Sequence, residues 1–431
     1  MQQTTGNYRW TICGLVFFAT TINYLDRAVI SLLKSTLTGE FNWSESDYAN
    51  IVVVFQICYA MGLLGAGRLI DKLGTKISYA IATALWSIAA MAHGFATSTF
   101  GFMIARGALG VTEAGNFPAA IKTVAEWFPI KERALATGIF NSGTNIGAIL
   151  APLTVPFIAK AWGWQWAFII TGVIGFIWLL CWFFIYEVPL KHKKLSPAEF
   201  EYIHQDAGKE TAQNEETVKI SWGKLLTYKQ TWAFAIGKFL TDPIWWFYLF
   251  WLPDFLEKQY GLTKTGIALP AAFAYLIAAA GSIFGGWLPM FFIKKGWTVF
   301  RSRKTSMLIY AVCVLPVVTA QYAGSINMWL AVIIIGLAMA AHQAWSANIY
   351  TTVSDMFPKS ATATVTGIGG MFGALGGMII AKGAGKLLDY YGLTGDKQKG
   401  YLIMFLICGV AYIIAWLTMH VLVPKMKKID Y

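Results

Sequence analysis

Apolar residues recur along this chain in runs of about 20, divided by short polar breaks, from near one end to near the other. A run of that length crosses the hydrocarbon of a bilayer as one α-helix, at a rise of about 1.5 Å per residue. Twelve runs are distinguished, near 10–33, 47–70, 77–97, 99–124, 133–160, 164–188, 229–257, 264–293, 303–322, 326–354, 361–388 and 399–424. The pattern predicts an all-α membrane protein with twelve transmembrane helices. The first run does not read as a cleaved signal peptide. It is too long, holds Asp26 and Arg27, and lacks a small-residue cleavage site after a short apolar core.

One stretch breaks the rhythm. Between the sixth and seventh runs, residues 189–228 turn polar and charged, which divides the chain into a half at 1–188, a linker, and a half at 229–431. A weak internal repeat supports the division. Glu126-Trp127-Phe128-Pro129 is followed by Ala134, Thr137, Gly138 and Ile139, and Asp355-Met356-Phe357-Pro358 by Ala363, Thr366, Gly367 and Ile368. Six identities share one offset of 229 residues (128 to 357, 138 to 367). Two repeated six-helix halves are a transporter design, with the substrate site between them at mid-membrane.

Composition agrees. Of the 431 residues 57% are hydrophobic and 13% charged, about half the charge of a soluble domain. The net charge of +12 is topological. Lysine and arginine concentrate at both ends and after even-numbered helices, with Arg68, Lys72, Lys76, Lys131, Arg133 and seven basic residues from Lys191 to Lys229. The loops after odd-numbered helices hold Lys34, Lys160, Lys258, Lys264, Lys386, Lys397 and Lys399. Both termini are therefore expected on the cytoplasmic side of the membrane, and nucleic acid is not an expected partner. Cys13, Cys58, Cys181, Cys313 and Cys408 fall in apolar runs and suggest neither disulfides nor a metal site.

The most specific motif follows helix two: Gly67-Arg68-Leu69-Ile70-Asp71-Lys72-Leu73-Gly74-Thr75-Lys76. Gly67 permits close helix approach, Asp71 places a carboxylate at a helix end, and Lys72 and Lys76 remain in water. This decapeptide resembles the signature of the major facilitator superfamily, and the resemblance covers essentially the whole chain. It implies that fold, and a cytoplasmic gate in which Asp71 holds the outward-open state through an adjoining helix end and a basic partner. Arg133 is the candidate partner. The second half begins the same motif at Gly285-Gly286-Trp287-Leu288-Pro289 but carries no acid before Lys294.

Charges inside a membrane cost at least ~2.5–3.5 kcal/mol each, so every one requires a reason. Helix one carries Asn23-Tyr24-Leu25-Asp26-Arg27, and helix four carries Arg106 and Glu113 two turns apart on one face, with Gly110 between them. Two acids and two arginines balance when the site is empty, and an added anion unbalances them unless a proton follows. When a substrate anion takes the arginine, the carboxylate loses its counter-charge and binds a proton more readily. On this reading Asp26 and Glu113 carry protons, while Arg27 and Arg106 hold the anion by their guanidinium forks. The competing reading makes the four residues structural ion pairs between helices one and four.

The same residues narrow the resemblance. Asn-Tyr-x-Asp-Arg in helix one, with Arg-x-x-x-Gly-x-x-Glu-Ala-x-x-Phe-Pro in helix four, looks like the anion:cation symporter branch. Bacterial hexuronate transporters are the most similar group within it, through Glu126-Trp127-Phe128-Pro129 and Lys238-Phe239-Leu240 with Pro243 and Trp245. The resemblance implies uptake of glucuronate or galacturonate with protons. Another organic anion, an aldonate such as galactonate, is the alternative.

Further candidates line up behind these. Tyr24 and Tyr59 could pack on a sugar ring or only anchor their helices. Asn141 and Asn145, one turn apart on helix five, read as ligands or as interhelical glue, with Asn145 taken as the candidate ligand. Lys238 binds the anion or simply pairs with Asp242 at i,i+4. His342 stands 229 residues after Glu113 and is either a satisfied interior histidine or a sugar-hydroxyl ligand.

A multidrug antiporter would show unpaired acids in an aromatic cavity, without the arginines. An enzyme would show a His-Glu-x-x-His pair, a Gly-x-Ser-x-Gly elbow or a phosphate loop, and none occurs. No cofactor is expected beyond the coupling proton, and two self-contained halves imply function as a monomer in the bilayer. One proton with a monoanion moves no net charge, whereas two move one, worth ~2.3 kcal/mol per 100 mV. Asp26 and Glu113 together allow two, and in that case an inside-negative valinomycin potential at equal pH raises uptake. Uptake unchanged by the potential would restrict the count to one.

Overall fold

The computed structural model describes residues 6–206, 220–262, 266–393 and 397–429, and every regular element among them is helical. Twelve long elements follow in order. The first six are α1 (Tyr8–Leu32), α2 (Glu45–Leu73), α3 (Thr75–Ala92), α4 in two pieces (Thr99–Glu113 and Asn116–Trp127), α5 (Ile130–Trp162) and α6 (Trp164–Ile185). The second six are α7 (Lys229–Tyr260), α8 (Ala268–Lys294), α9 (Val299–Val314), α10 (Met328–Met356), α11 (Lys359–Leu393) and α12 (Lys397–Leu422). Ten of the spans are long and apolar enough to cross a membrane; the others are α4, which is broken, and α7, which carries Lys238 and Asp242 in its middle.

Chemistry at the helix ends explains several boundaries. Ser44 and Asp47 form a reciprocal capping box at the start of α2, with N–H to oxygen distances of 2.9 and 3.1 Å. Gly74 after α2 (φ 85°) and Gly296 after α8 (φ 87°) turn the chain into α3 and α9 through a left-handed backbone that L side chains resist. The break in α4 departs from the single helix expected over 99–124. Pro118 has no N–H to offer the Ala114 carbonyl, so the helix ends at Glu113 and restarts at Asn116.

Each half packs on itself, and the halves meet along two seams, α5 against α8 and α2 against α11. Glycine sets the spacing of both seams. A Cβ on Gly138 would strike the Ser282 carbonyl, one on Gly286 the Ala134 carbonyl, one on Gly67 the Ala363 carbonyl and one on Gly367 the Leu63 carbonyl. These are backbone-to-backbone contacts, which rotamer changes cannot relieve.

The seams are reinforced at the end of the bundle where α4 meets α5 and α10 meets α11. Arg133 donates to the Ser354 carbonyl and lies 3.6 Å from Asp355, which also takes Arg303 at 3.0 Å. Arg303 in turn donates to the Ile130 carbonyl at 3.0 Å. The internal repeat gains a structural meaning here. Glu126, the counterpart of Asp355, accepts from Thr75 and Tyr186 inside its own half, whereas Asp355 draws an arginine from each half. The predicted linker is bracketed by Ile185 and Lys229, and its helix Pro197–Ile203 is tied to the first half by Glu199 and Tyr202, which hold Arg9 and Glu132.

Opening this end requires both glycine seams to part. Gly286→Leu is expected to weaken the closed state by about 1–3 kcal/mol, which is roughly 5- to 150-fold in the ratio of closed to open. In a background with the five free cysteines replaced by serine, Ser354→Cys should then react faster with a membrane-impermeant maleimide supplied on that side. An unchanged labelling rate would contradict the role given to the seam.

Candidate functional site

A central cavity lies between the halves, and the interior charges of both converge on it. Tyr24, Arg27 and Tyr59 form the wall from the first half; Lys238, Asp242, Trp245 and His342 form the opposite wall. Its floor separates it from the closed end. There Asn141 donates to Gln343 at 2.6 Å and to Ser282 at 3.0 Å, and Phe117 stacks on Tyr350 with ring centroids 5.3 Å apart. Both contacts join one half to the other.

Arg27 is held from two directions. Its guanidinium lies 2.9 Å from the Glu113 carboxylate across the α1–α4 contact. The rings of Tyr24, Tyr59 and Phe55 surround it, with its Cζ 4.7, 4.7 and 5.0 Å from their centroids. Glu113 sits on the last turn before the α4 break, fully buried, and uses only one oxygen on Arg27, leaving Oε1 unpartnered.

The other two predicted charges stand behind this pair. Arg106 does not line the cavity; it lies over the Phe55 ring and donates to the Arg27 carbonyl at 2.9 Å, which ties α4 to α1. Its Nε and Nη1 have no partner. Asp26 points away from the cavity, with the Thr171 hydroxyl and the Arg106 and Glu113 charges around it, and neither oxygen closes a hydrogen bond of normal geometry. Four predicted residues are thus one cluster, in which Arg27 meets the cavity, Glu113 adjoins it, and Asp26 and Arg106 are set back.

Among the remaining predictions, Tyr24, Tyr59, Lys238 and His342 line the cavity, while Asn145 does not. Asn145 is fully buried with both amide atoms unpartnered, and Asn141, one turn earlier, occupies the floor instead. Lys238 pairs with Asp242 at 2.7 Å, the simpler of its two readings. His342 shares a hydrogen bond with Tyr412 and stacks on Trp245 with centroids 5.2 Å apart, so it is both satisfied and exposed to the cavity. Gln343, Ser346 and Tyr350 were not singled out as ligands. Their only signal was position on α10, Gln343 next to His342 and Ser346 and Tyr350 one and two turns along from it.

The gate differs from expectation in its partner. Asp71 pairs with Lys122 at 3.1 Å and accepts from the Thr364 N–H and hydroxyl, both at 2.6 Å. Arg133 instead serves Ser354 and Asp355. Lys122 lies on the second piece of α4, past the break, where its side chain is buried. Gly67 packs on Ala363 one turn before Asp71, and Lys72 is exposed.

A family model described as Major Facilitator Superfamily matches residues 16–381. The chain belongs to that superfamily of transporters. Major facilitator relatives include the hexuronate transporter of Escherichia coli strain K12, 36% identical over 90% of this chain and 89% of that protein. The galacturonate transporter of Dickeya chrysanthemi is 39% identical over 66% and 83%, and a D-galactonate transporter from Escherichia coli O6:H1 is 29% identical over 90% and 91%. Among solved major facilitator structures, the proton:xylose symporter XylE covers 98% of this chain and 97% of its own at TM-score 0.77 and 17% identity, a likeness of fold. The protein is a multi-pass membrane transporter and not an enzyme.

The pairing of Asp71 with Lys122 has a measurable signature. In thermal unfolding in detergent, Asp71→Asn and Lys122→Met are expected to couple by about 1–3 kcal/mol, whereas Asp71→Asn and Arg133→Ala should add to within about 0.5 kcal/mol. Coupling to Arg133 and not to Lys122 would reverse the assignment.

Proposed function

We propose that the protein is a proton-coupled symporter that imports a hexuronate, glucuronate or galacturonate, across the bacterial inner membrane by alternating access. The observation that carries the reading is Arg27, a guanidinium facing a cavity between two halves and held by a carboxylate through one edge only, in a chain 36% identical to a hexuronate transporter.

The chemistry follows from charge balance. Arg27, Arg106 and Lys238 stand against Asp26, Glu113 and Asp242, so the empty interior is neutral when all six are ionised. A substrate carboxylate that engages the Arg27 fork competes with Glu113 for it. Glu113, released in a buried place, is stabilised by taking a proton, and Asp26 beside it offers a second position. Tyr24 and Tyr59 present ring faces to the apolar side of a sugar, while Asn141, Gln343 and Ser346 offer hydrogen bonds to its hydroxyls. No cofactor enters this scheme, and one chain holds the whole site.

Direction comes from the basic residues. The closed end carries Arg9, Lys72, Lys122, Lys131, Arg133 and Arg303, and basic residues favour the cytoplasm. With both termini there, the closed end is the cytoplasmic one, the Asn141–Gln343 and Phe117–Tyr350 contacts close the cavity toward it, and import requires both to part. An aldonate is the second substrate reading, favoured by the 29% identical D-galactonate transporter. A multidrug antiporter is disfavoured, because Arg27 and Lys238 face the cavity.

The test is uptake of labelled glucuronate into proteoliposomes, with and without an inward proton gradient and with galacturonate, gluconate, glutamate and glucose as competitors. Gradient-stimulated uptake is expected, inhibited by uronates. Arg27→Lys keeps the charge but loses the fork, and is expected to reduce uptake by roughly 10- to 100-fold. Glu113→Gln should retain exchange but lose gradient-driven accumulation. Failure to transport any sugar acid would reject the substrate assignment.

A further inference from the structure

The wall opposite Arg27 holds a second buried ion pair that the coupling scheme does not use. Lys238 and Asp242 face each other one turn apart on α7 at 2.7 Å, but they are not equally placed. The lysine side chain is 3% exposed and the aspartate 18%. The Lys238 ammonium lies 4.0 Å from the centroid of the Tyr350 ring, which covers it on one side. Asp242 is backed by Gly373 of α11, where any Cβ would collide with the carboxylate, so that side of the group rests against backbone. Both residues line the cavity, and the carboxylate is the more exposed member of the pair. Tyr24 and Tyr59 lie against Arg27 and Tyr350 against Lys238, all lining one cavity, so the two charge pairs confront each other across these rings.

We propose that Asp242 is a specificity residue that restricts the cavity to sugar acids carrying a single carboxylate. The inference rests on the sugar-acid reading above. A hexuronate or aldonate whose carboxylate lies on Arg27 presents only hydroxyl groups at its other end, and Asp242 can accept hydrogen bonds from them. An aldarate of the same length presents a second carboxylate, which has no proton to donate at neutral pH. It meets a like charge whose own cation, Lys238, is already engaged and covered by Tyr350. Rejection arises from a placed repulsion together with an unpaired acceptor, which discriminates more strongly than a change of size does.

The charge can be removed without changing shape. Asp242→Asn deletes the repulsion and releases Lys238 to attract a second carboxylate, so the preference should move toward the dianion. Binding of glucuronate, gluconate and glucarate to the purified full-length protein can be followed by tryptophan fluorescence, since Trp245 and Trp246 line the cavity. Wild type should bind glucuronate at least about tenfold more tightly than glucarate, and Asp242→Asn should narrow that ratio by about tenfold, mainly through tighter glucarate. Asp242→Ser provides an independent second variant. An unchanged ratio in a variant that still binds glucuronate overturns the proposal and leaves the sugar-acid reading standing. Loss of cooperative melting in both variants overturns it as well, by showing that the pair is needed for folding. If wild type binds none of the three acids, the sugar-acid reading falls and the proposal falls with it.

Discussion

The ion pair between Arg27 and Glu113 is the constraint around which the first half is arranged. A guanidinium inside a membrane bundle must be compensated, and here a carboxylate from another helix and three aromatic rings do so. The α1–α4 contact that results fixes the position of Tyr24 on one side and of the α4 break on the other. Arg106 strengthens it by donating to the Arg27 backbone, so that the cation is held at both its head and its main chain. Because one edge of the fork and one oxygen of Glu113 remain uncommitted, the pair is compensated without being saturated. A saturated pair would be only a strut.

The second half solves its charge problem locally, with Lys238 and Asp242 on a single helix. That difference divides labour between the halves. An anion entering the cavity can disturb an interhelical bond on the first wall, whereas on the second it meets a pair whose two charges share one helix. At the closed end the asymmetry is reversed. There Glu126 is satisfied by hydroxyls of its own half, while Asp355 gathers arginines from both.

Much of this was legible in the residues. Run lengths located the twelve long helical elements. Intramembrane charges pointed to Asp26, Arg27, Arg106 and Glu113 as a group, because cost alone marks them out. What the residues did not reveal was direction. Arg106 and Arg27 read alike in the sequence, yet one faces the cavity and the other the protein interior, a difference set by helix rotation. Asn141 and Asn145 exchanged roles for the same reason. Lys122 does not stand out in the sequence as the partner of Asp71, because the α4 break at Pro118 decides which face of the second piece, Lys122 included, is buried. The partner of a charge depends on where a helix bends, and Pro118 was read only as part of a motif.

The glycine seams carry a thermodynamic consequence of their own. Where two surfaces close through long side chains, each closure freezes rotamers, at about 0.5–1.5 kcal/mol for every side chain immobilised. At Gly67, Gly138, Gly286 and Gly367 the touching surfaces are helix backbone, ordered by the bonds of its own helix. Meeting and parting there change little conformational entropy. Such a joint resembles a dry bearing: under the proposed alternating access it would be made and broken on every turnover, with hydration and the few polar contacts beside it deciding which way the balance falls.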